Sequence, residues 1–138
     1  MVNSENIIFK TIKQAADADI VRLYQDADWW QAEYDTNFIQ PMIQHSFVFI
    51  AAFDGEKMIG MGRVISDGFS DGYIQDVTVL KAYRGQGIGS AIIKQLIAAM
   101  QTAGIDWIGL VGEPGTQQFY ERLGFKPLTN FIPMQFQP

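Results

Sequence analysis

The feature that most constrains this chain lies between residues 73 and 111, where two strand-like runs are separated by a glycine cluster and one long amphipathic helix. Residues 73–80 read as a strand, and Arg84-Gly85-Gln86-Gly87-Ile88-Gly89-Ser90 follows. From 87 to 103 the apolar residues Ile88, Ile92, Leu96, Ala99 and Met100 recur at helical spacing. Gly104 stands where a C′ glycine ends a helix, and residues 107–111 then read as a short buried strand in which Trp107 serves sheet packing. A strand, a helix and a strand in this order form a crossover, which sets the two strands parallel in one sheet.

The rest of the chain builds around that unit. Runs at 47–53 and 58–66 flank Asp54-Gly55-Glu56-Lys57, a hairpin signal because glycine accepts the positive φ of a tight turn. The polar stretch 67–72 supplies the next turn, so an antiparallel meander leads into the crossover. Residues 7–12 read as a first strand, Asp17 or Asp19 as the cap of a helix running to about Ala27, and 37–44 as a second helix interrupted in its boundaries by Pro41. A last helix at 116–123 is closed by Gly124, and strand-like residues run through Phe131 and over 134–136. No repeat or linker breaks the 138 residues, 48% of them hydrophobic, so a single domain spanning 1–138 is expected. Its fold class is α/β of the α+β type: a mixed, mostly antiparallel central sheet with helices on both faces.

Charge and composition narrow the function. A net charge of −5 argues against nucleic acid as a partner, because phosphate neutralisation needs a basic surface. Residues 1–80 hold five Lys/Arg against twelve Asp/Glu, whereas 81–138 hold five against three. That division suits an acidic half for cations and a basic half for anions, and uneven surface decoration accounts for it equally well. The absence of cysteine excludes a disulfide framework, a thiol nucleophile and a Cys-based zinc site, and no metal is expected. The N-terminal residues lack the pattern of a signal peptide and no apolar run reaches the length of a membrane span, so the expectation is a cytoplasmic protein without a membrane partner.

The glycine cluster sits where a helix begins, so unpaired N–H groups and the helix dipole favour an anion there. A tight turn that binds nothing is the alternative. A Walker A loop is ruled against because Ser90-Ala91, rather than Lys and Ser/Thr, follows Gly89. A dinucleotide loop fits poorly too, since its sixth position is Ser90 and the preceding strand ends a meander.

At Arg84-Gly85-Gln86-Gly87-Ile88-Gly89 the sequence resembles the GNAT superfamily of N-acyltransferases, whose signature is Gln/Arg-x-x-Gly-x-Gly/Ala. The resemblance extends through Ile74-Gln75-Asp76-Val77-Thr78-Val79 upstream and Phe119-Tyr120-Glu121-Arg122-Leu123-Gly124-Phe125 downstream. It implies acetyl transfer from acetyl-CoA, as co-substrate, to a primary amine by direct attack in a ternary complex. It also implies that Arg84, Gly85, Gln86, Gly87, Ile88, Gly89 and Ser90 hold the pyrophosphate through their backbone. The strand before the loop is expected to bulge and to splay from its parallel neighbour, freeing Val77, Thr78 and Val79 for the pantetheine amides. A catalytically inactive coenzyme A binding sensor or interaction module is the alternative function, and a homodimer is a possible assembly.

The chemistry assigns roles. A lysine-like amine with pKa about 10.4 is disfavoured as free base at neutral pH by roughly 4 to 5 kcal/mol, and Asp76 is the candidate to take its proton. The backbone N–H of Val79 is the candidate oxyanion donor. Tyr120 matches the tyrosine the family commonly uses to protonate the leaving thiolate. Seven residues before it, where many relatives carry Asn, this chain has Glu113, so a side-chain contact to coenzyme A from this loop does not carry over from the resemblance. Phe119 and Phe125 read as core residues. Trp29, Trp30 and Tyr34, set among acids in 26–35, suit a cationic amine of a small molecule or peptide. The plainer reading of that stretch is an amphipathic segment with Trp30 and Tyr34 buried, and His45 reads as an ordinary helix-end residue.

Overall fold

The computed structural model describes residues 6–138, in which β1 (Ile7–Thr11), β2 (Val48–Asp54), β3 (Lys57–Ser66), β4 (Asp71–Val79) and β5 (Trp107–Leu110) form one sheet in sequence order. The first four strands pair antiparallel, and β5 joins β4 in parallel from Asp71↔Trp107 to Ile74↔Leu110. Asp54 pairs with Lys57, so Gly55 at φ 61 and Glu56 make the two-residue hairpin turn. The parallel pair is joined by α3 (Ile88–Thr102), which ends ahead of Gly104 at φ 82.

Close packing of α3 explains the glycines of the strands beneath it. A Cβ on Gly62 would lie 2.8 Å from Ile92 Cγ2, and one on Gly72 would run into Met100 Sδ. Ile92, Ile93, Leu96 and Met100 are fully buried as a result, each contributing about 2–3 kcal/mol of transfer free energy. The pleat sends Met61 to the opposite face, where it too is fully buried and where α1 (Asp17–Asp26) lies against β3. A shorter helix, α2 (Ile39–His45), packs on α1 through Ile39 and Ile43 and carries Pro41 in its first turn, where the missing N–H costs nothing. His45 is the exposed last residue of that helix.

Four expectations from the sequence need correction. Ala16, not Asp17 or Asp19, is the N-cap of α1; both acids fall in the first turn, where the helix dipole favours them, and Asp19 pairs with Arg22 at 3.1 Å. The strand at 107–110 is an edge strand rather than a buried one: Trp107 is 41% exposed beside Tyr73, and Val111 lies beyond the pairing at 77%. The stretch 27–38 is irregular rather than an amphipathic helix, with Asp28 at φ 62, and Tyr34 is exposed. The last helix, α4 (Gln117–Glu121), is followed by no strand. Phe131, Met134 and Phe136 are 73%, 90% and 84% exposed, and Pro133 in the middle of the run cannot donate to a ladder.

Candidate active site

The site begins at a defect in β4. Met61 faces Thr78 and Arg63 faces Gln75, which leaves Asp76 and Val77 opposite Gly62 alone. Asp76 takes φ 56, so this is a bulge whose first residue lies in the left-handed region, a place that Asp tolerates better than most residues. The strain, about 1–3 kcal/mol, is held by a side-chain clamp. Arg63 Nε donates to Asp76 Oδ2 at 2.8 Å, and the Tyr24 hydroxyl donates to the same oxygen at 3.0 Å. Burial, then the charge of Asp76 and the bond to it, push the Tyr24 phenol up, so it remains a donor throughout the neutral range.

The bulge also ends the parallel pairing. β4 and β5 part after Ile74↔Leu110, so residues 75–79 diverge from the chain beyond β5, as the resemblance implied. Two cavities open into that split. One, of about 620 Å³, runs along Val77, Thr78 and Val79 to Arg84, Gly85, Gly87, Ile88, Gly89 and Ser90. The other, of about 400 Å³, lies between Asp76 and the aromatic side chains of Tyr24, Trp30, Tyr34 and Phe38.

Local sequence shapes the larger cavity. Gly85 and Gly87 both stand at φ 80, and a Cβ on either would meet nothing within 4 Å, so backbone conformation rather than space demands glycine. Gly87 is the N-cap of α3 and no side chain caps that end, which leaves the first N–H groups of the helix free for an anion. Arg84 Nε donates to the carbonyl of Val79 at 2.9 Å and ties the loop to the end of β4. Gln86 alone among the seven loop residues does not line the cavity; its Oε1 is buried without a partner. The donor set therefore fits a phosphate-bearing, amide-rich ligand: glycine N–H groups at one end, a diverging strand at the other.

The smaller cavity owes its wall to the irregular stretch between α1 and α2. Trp30 lies parallel to Tyr24 at 6.1 Å between centroids, meets Tyr34 edge-on at 5.4 Å and stacks near Phe38 at 6.2 Å. Trp29 lines both cavities. Among the described residues no Lys or Arg lines the aromatic cavity, whose charges are Asp76 and Glu113. Such a space suits an organic cation.

The cavities meet at Trp29, Val77, Glu113, Thr116 and Tyr120. Thr116, the N-cap of α4, fixes this corner: its N–H and hydroxyl both donate to the Glu113 carbonyl, at 3.2 and 2.6 Å. A Cβ on Gly112 would lie 2.9 Å from Thr116 Oγ1 and 3.7 Å from the Tyr120 ring, so the connection after β5 is pressed against α4. Burial and the nearby charge of Glu113 raise the Tyr120 phenol. Phe119 and Phe125 flank that ring edge-on and pack against the core, and Phe119 also lines the larger cavity.

Of the candidate site residues read from the sequence, all but Gln86 line one cavity or the other, whereas His45, Trp107 and Phe125 line neither. Tyr24, Phe38, Arg63 and Thr116 were not singled out. Tyr24 reads as a core position of α1, and its contact with Asp76 spans 52 residues, beyond any local pattern. Arg63 carries a weak signal, as the one charge in the mostly apolar run 58–66.

Comparison with known proteins agrees with this geometry. Residues 12–125 match the sequence profile of the acetyltransferase (GNAT) family. The uncharacterized N-acetyltransferase YjcF of Bacillus subtilis is 29% identical over 126 residues, covering 89% of this chain and 86% of that one. The GCN5-related N-acetyltransferase 2, chloroplastic, of Arabidopsis thaliana is 38% identical over 78 residues, or 53% of this chain and 30% of that one. The chain spans half or less of the length of several such relatives. A solved GNAT family acetyltransferase from Streptococcus pneumoniae superposes with TM-score 0.83 at 28% identity, covering 96% of this chain and 98% of that one. The glycine-lined cavity, the bulged and splayed strand and the matched residues converge, and the chain belongs to the GNAT acetyltransferase family.

Proposed function

We propose that this protein transfers an acetyl group from acetyl-CoA to a primary amine, the two bound together in the joined cavities. The observation that carries this reading is the shared corner: among the described residues the phosphate-fitting cavity and the aromatic, acidic cavity share Trp29, Val77, Glu113, Thr116 and Tyr120. A donor laid along β4 and an amine among the aromatic rings would bring their reacting atoms together there. Acetyl-CoA supplies an activated carbonyl on a thiol leaving group of pKa about 8.5.

The chain's own groups divide the work. Backbone N–H groups of the glycine loop hold the pyrophosphate, and freed main-chain groups of Val77 to Val79 pair with the pantetheine amides. The Val79 N–H stabilises the negative charge that develops on the carbonyl oxygen. Tyr120, kept protonated by burial and by Glu113, gives its proton to the departing sulfur. Trp30, Tyr34 and Phe38 seat the acceptor, and the carboxylates attract its charge.

The test is Gly87→Glu with Gly87→Asn beside it. Asn tolerates the left-handed backbone and stays neutral, whereas Glu puts a negative side chain into the open cradle. Acetyl-CoA affinity measured by calorimetry is expected to fall at least tenfold further for Glu than for Asn, with both variants folded. Equal affinities would defeat the placement of the donor. A wild type that binds acetyl-CoA and acetylates no amine in a panel of monoamines, polyamines, amino acids and peptides would be a binding module instead.

A further inference from the structure

Resting on the transferase reading, we propose that Glu113, not Asp76, is the general base that takes the proton of the amine. The place to look is the corner shared by the cavities, because the amine nitrogen must stand there when it reaches the carbonyl. Glu113 and Tyr120 are the two titratable residues at that corner. Asp76 lines the aromatic cavity alone, and its Oδ2 already accepts from Arg63 and Tyr24. A proton arriving on Asp76 would break the ion pair that steadies the bulge. Among the described residues no hydrogen bond or ion pair engages the carboxylate of Glu113.

The corner is built to hold Glu113 in place. Thr116 grips its carbonyl twice, Gly115 at φ 85 turns the chain, and Gly112 allows the connection to close against Tyr120. Glu113 is also exposed, so a proton taken from the acceptor has a path to water. The other titratable groups around the two cavities are Tyr24, Tyr34 and Asp76 on the amine side and Tyr83 and Arg84 on the donor side. None of these reaches the shared corner.

The protons balance. The acceptor arrives as R–NH₃⁺ and leaves as an amide, so it sheds two. Glu113 takes the first and passes it to water, which exposes the nitrogen lone pair for attack on the thioester carbon. As the C–N bond forms and the C–S bond breaks, Tyr120 gives its proton to sulfur and recovers the second from nitrogen. The net release is one proton per turnover. At pH 7 the free base of a lysine-like amine is roughly one part in 10³, so a base at this corner governs the neutral rate.

The experiment compares Glu113→Gln with Asp76→Asn over pH 6 to 10, at saturating acetyl-CoA, with donor affinity measured for each by calorimetry. Glu113→Gln is expected to lose about 10²-fold in kcat/KM for the amine at neutral pH, to regain most of it as solvent deprotonates the amine, and to bind acetyl-CoA normally. Asp76→Asn is expected to keep the wild-type shape of the profile. If Glu113→Gln retains the wild-type profile while the wild type is active, Glu113 is not the base, and a neutral-pH loss in Asp76→Asn that is regained at high pH would overturn the assignment as well. A wild type inactive on every amine overturns the transferase reading, and Glu113 falls with it.

Discussion

Tyr120, the acid of the proposed transfer, shows how position prepares an ordinary side chain for such a role. Its ring is held between Phe119 and Phe125, and its phenol is raised first by burial and then by the charge of Glu113. A phenol raised in the folded state stays protonated beyond its usual value of about 10, so the acid does not titrate away where amines become free bases. The sign for stability follows: with the folded value above the unfolded one, the contribution is whole below about pH 10 and is lost as pH rises through the folded value. Tyr120→Phe keeps the ring and removes the donor. Turnover at saturating acetyl-CoA is expected to fall about 10²-fold to 10⁴-fold while donor affinity stays unchanged, and stopped-flow measurement of the chemical step is the check. Wild-type turnover with chemistry limiting the rate would leave water as the proton source.

At the scale of elements, the bulge in β4 is where fold and site become one feature. The extra residue bends the strand, the bend ends its pairing with β5, and the gap becomes the floor of both cavities. Arg63 holds that geometry from the neighbouring strand, with 16% of its side chain exposed against 22% for Asp76. Arg63→Met fills similar space and leaves the carboxylate unpaired at a strained backbone position. Stability measured by urea denaturation is expected to drop by about 2 kcal/mol, with a larger loss of amine affinity than of acetyl-CoA affinity. A drop below about 0.5 kcal/mol would show that the bulge holds itself. The strand order, the hairpin at Gly55 and α3 were legible in the sequence because periodicity and turn residues are local signals. The clamp on Asp76 was not, because three elements supply it and no one of them contains its pattern. The aromatic wall was legible in composition but not in shape: Trp29, Trp30 and Tyr34 were singled out, while the irregular backbone that aims them depends on α1 and α2 packing together.

For the whole molecule, the division of charge along the chain touches the cavities at few points: Asp76 of the acidic half lines the aromatic cavity, Arg84 of the more basic half lines the glycine-lined one, and Glu113 lines both. The last residues take no part in this arrangement. Alternating apolar residues in 131–136 read as a strand, yet a strand needs a neighbour to satisfy its ladder, and Pro133 removes a donor from its centre. Leu128, Phe131, Ile132, Met134 and Phe136 are all more than half exposed, whereas Leu123 and Phe125 just before them pack against the core. Folding therefore moves the side chains of 128–138 little out of water, and they add little to stability. A chain lacking 128–138 is expected to keep its urea midpoint and its m-value, with stability changed by less than about 0.5 kcal/mol. It is also expected to be more soluble, since a run of exposed apolar side chains is removed. A loss above about 1 kcal/mol, or a smaller m-value, would mean that Phe131 or Ile132 buries surface against the body and that the core extends past Phe125.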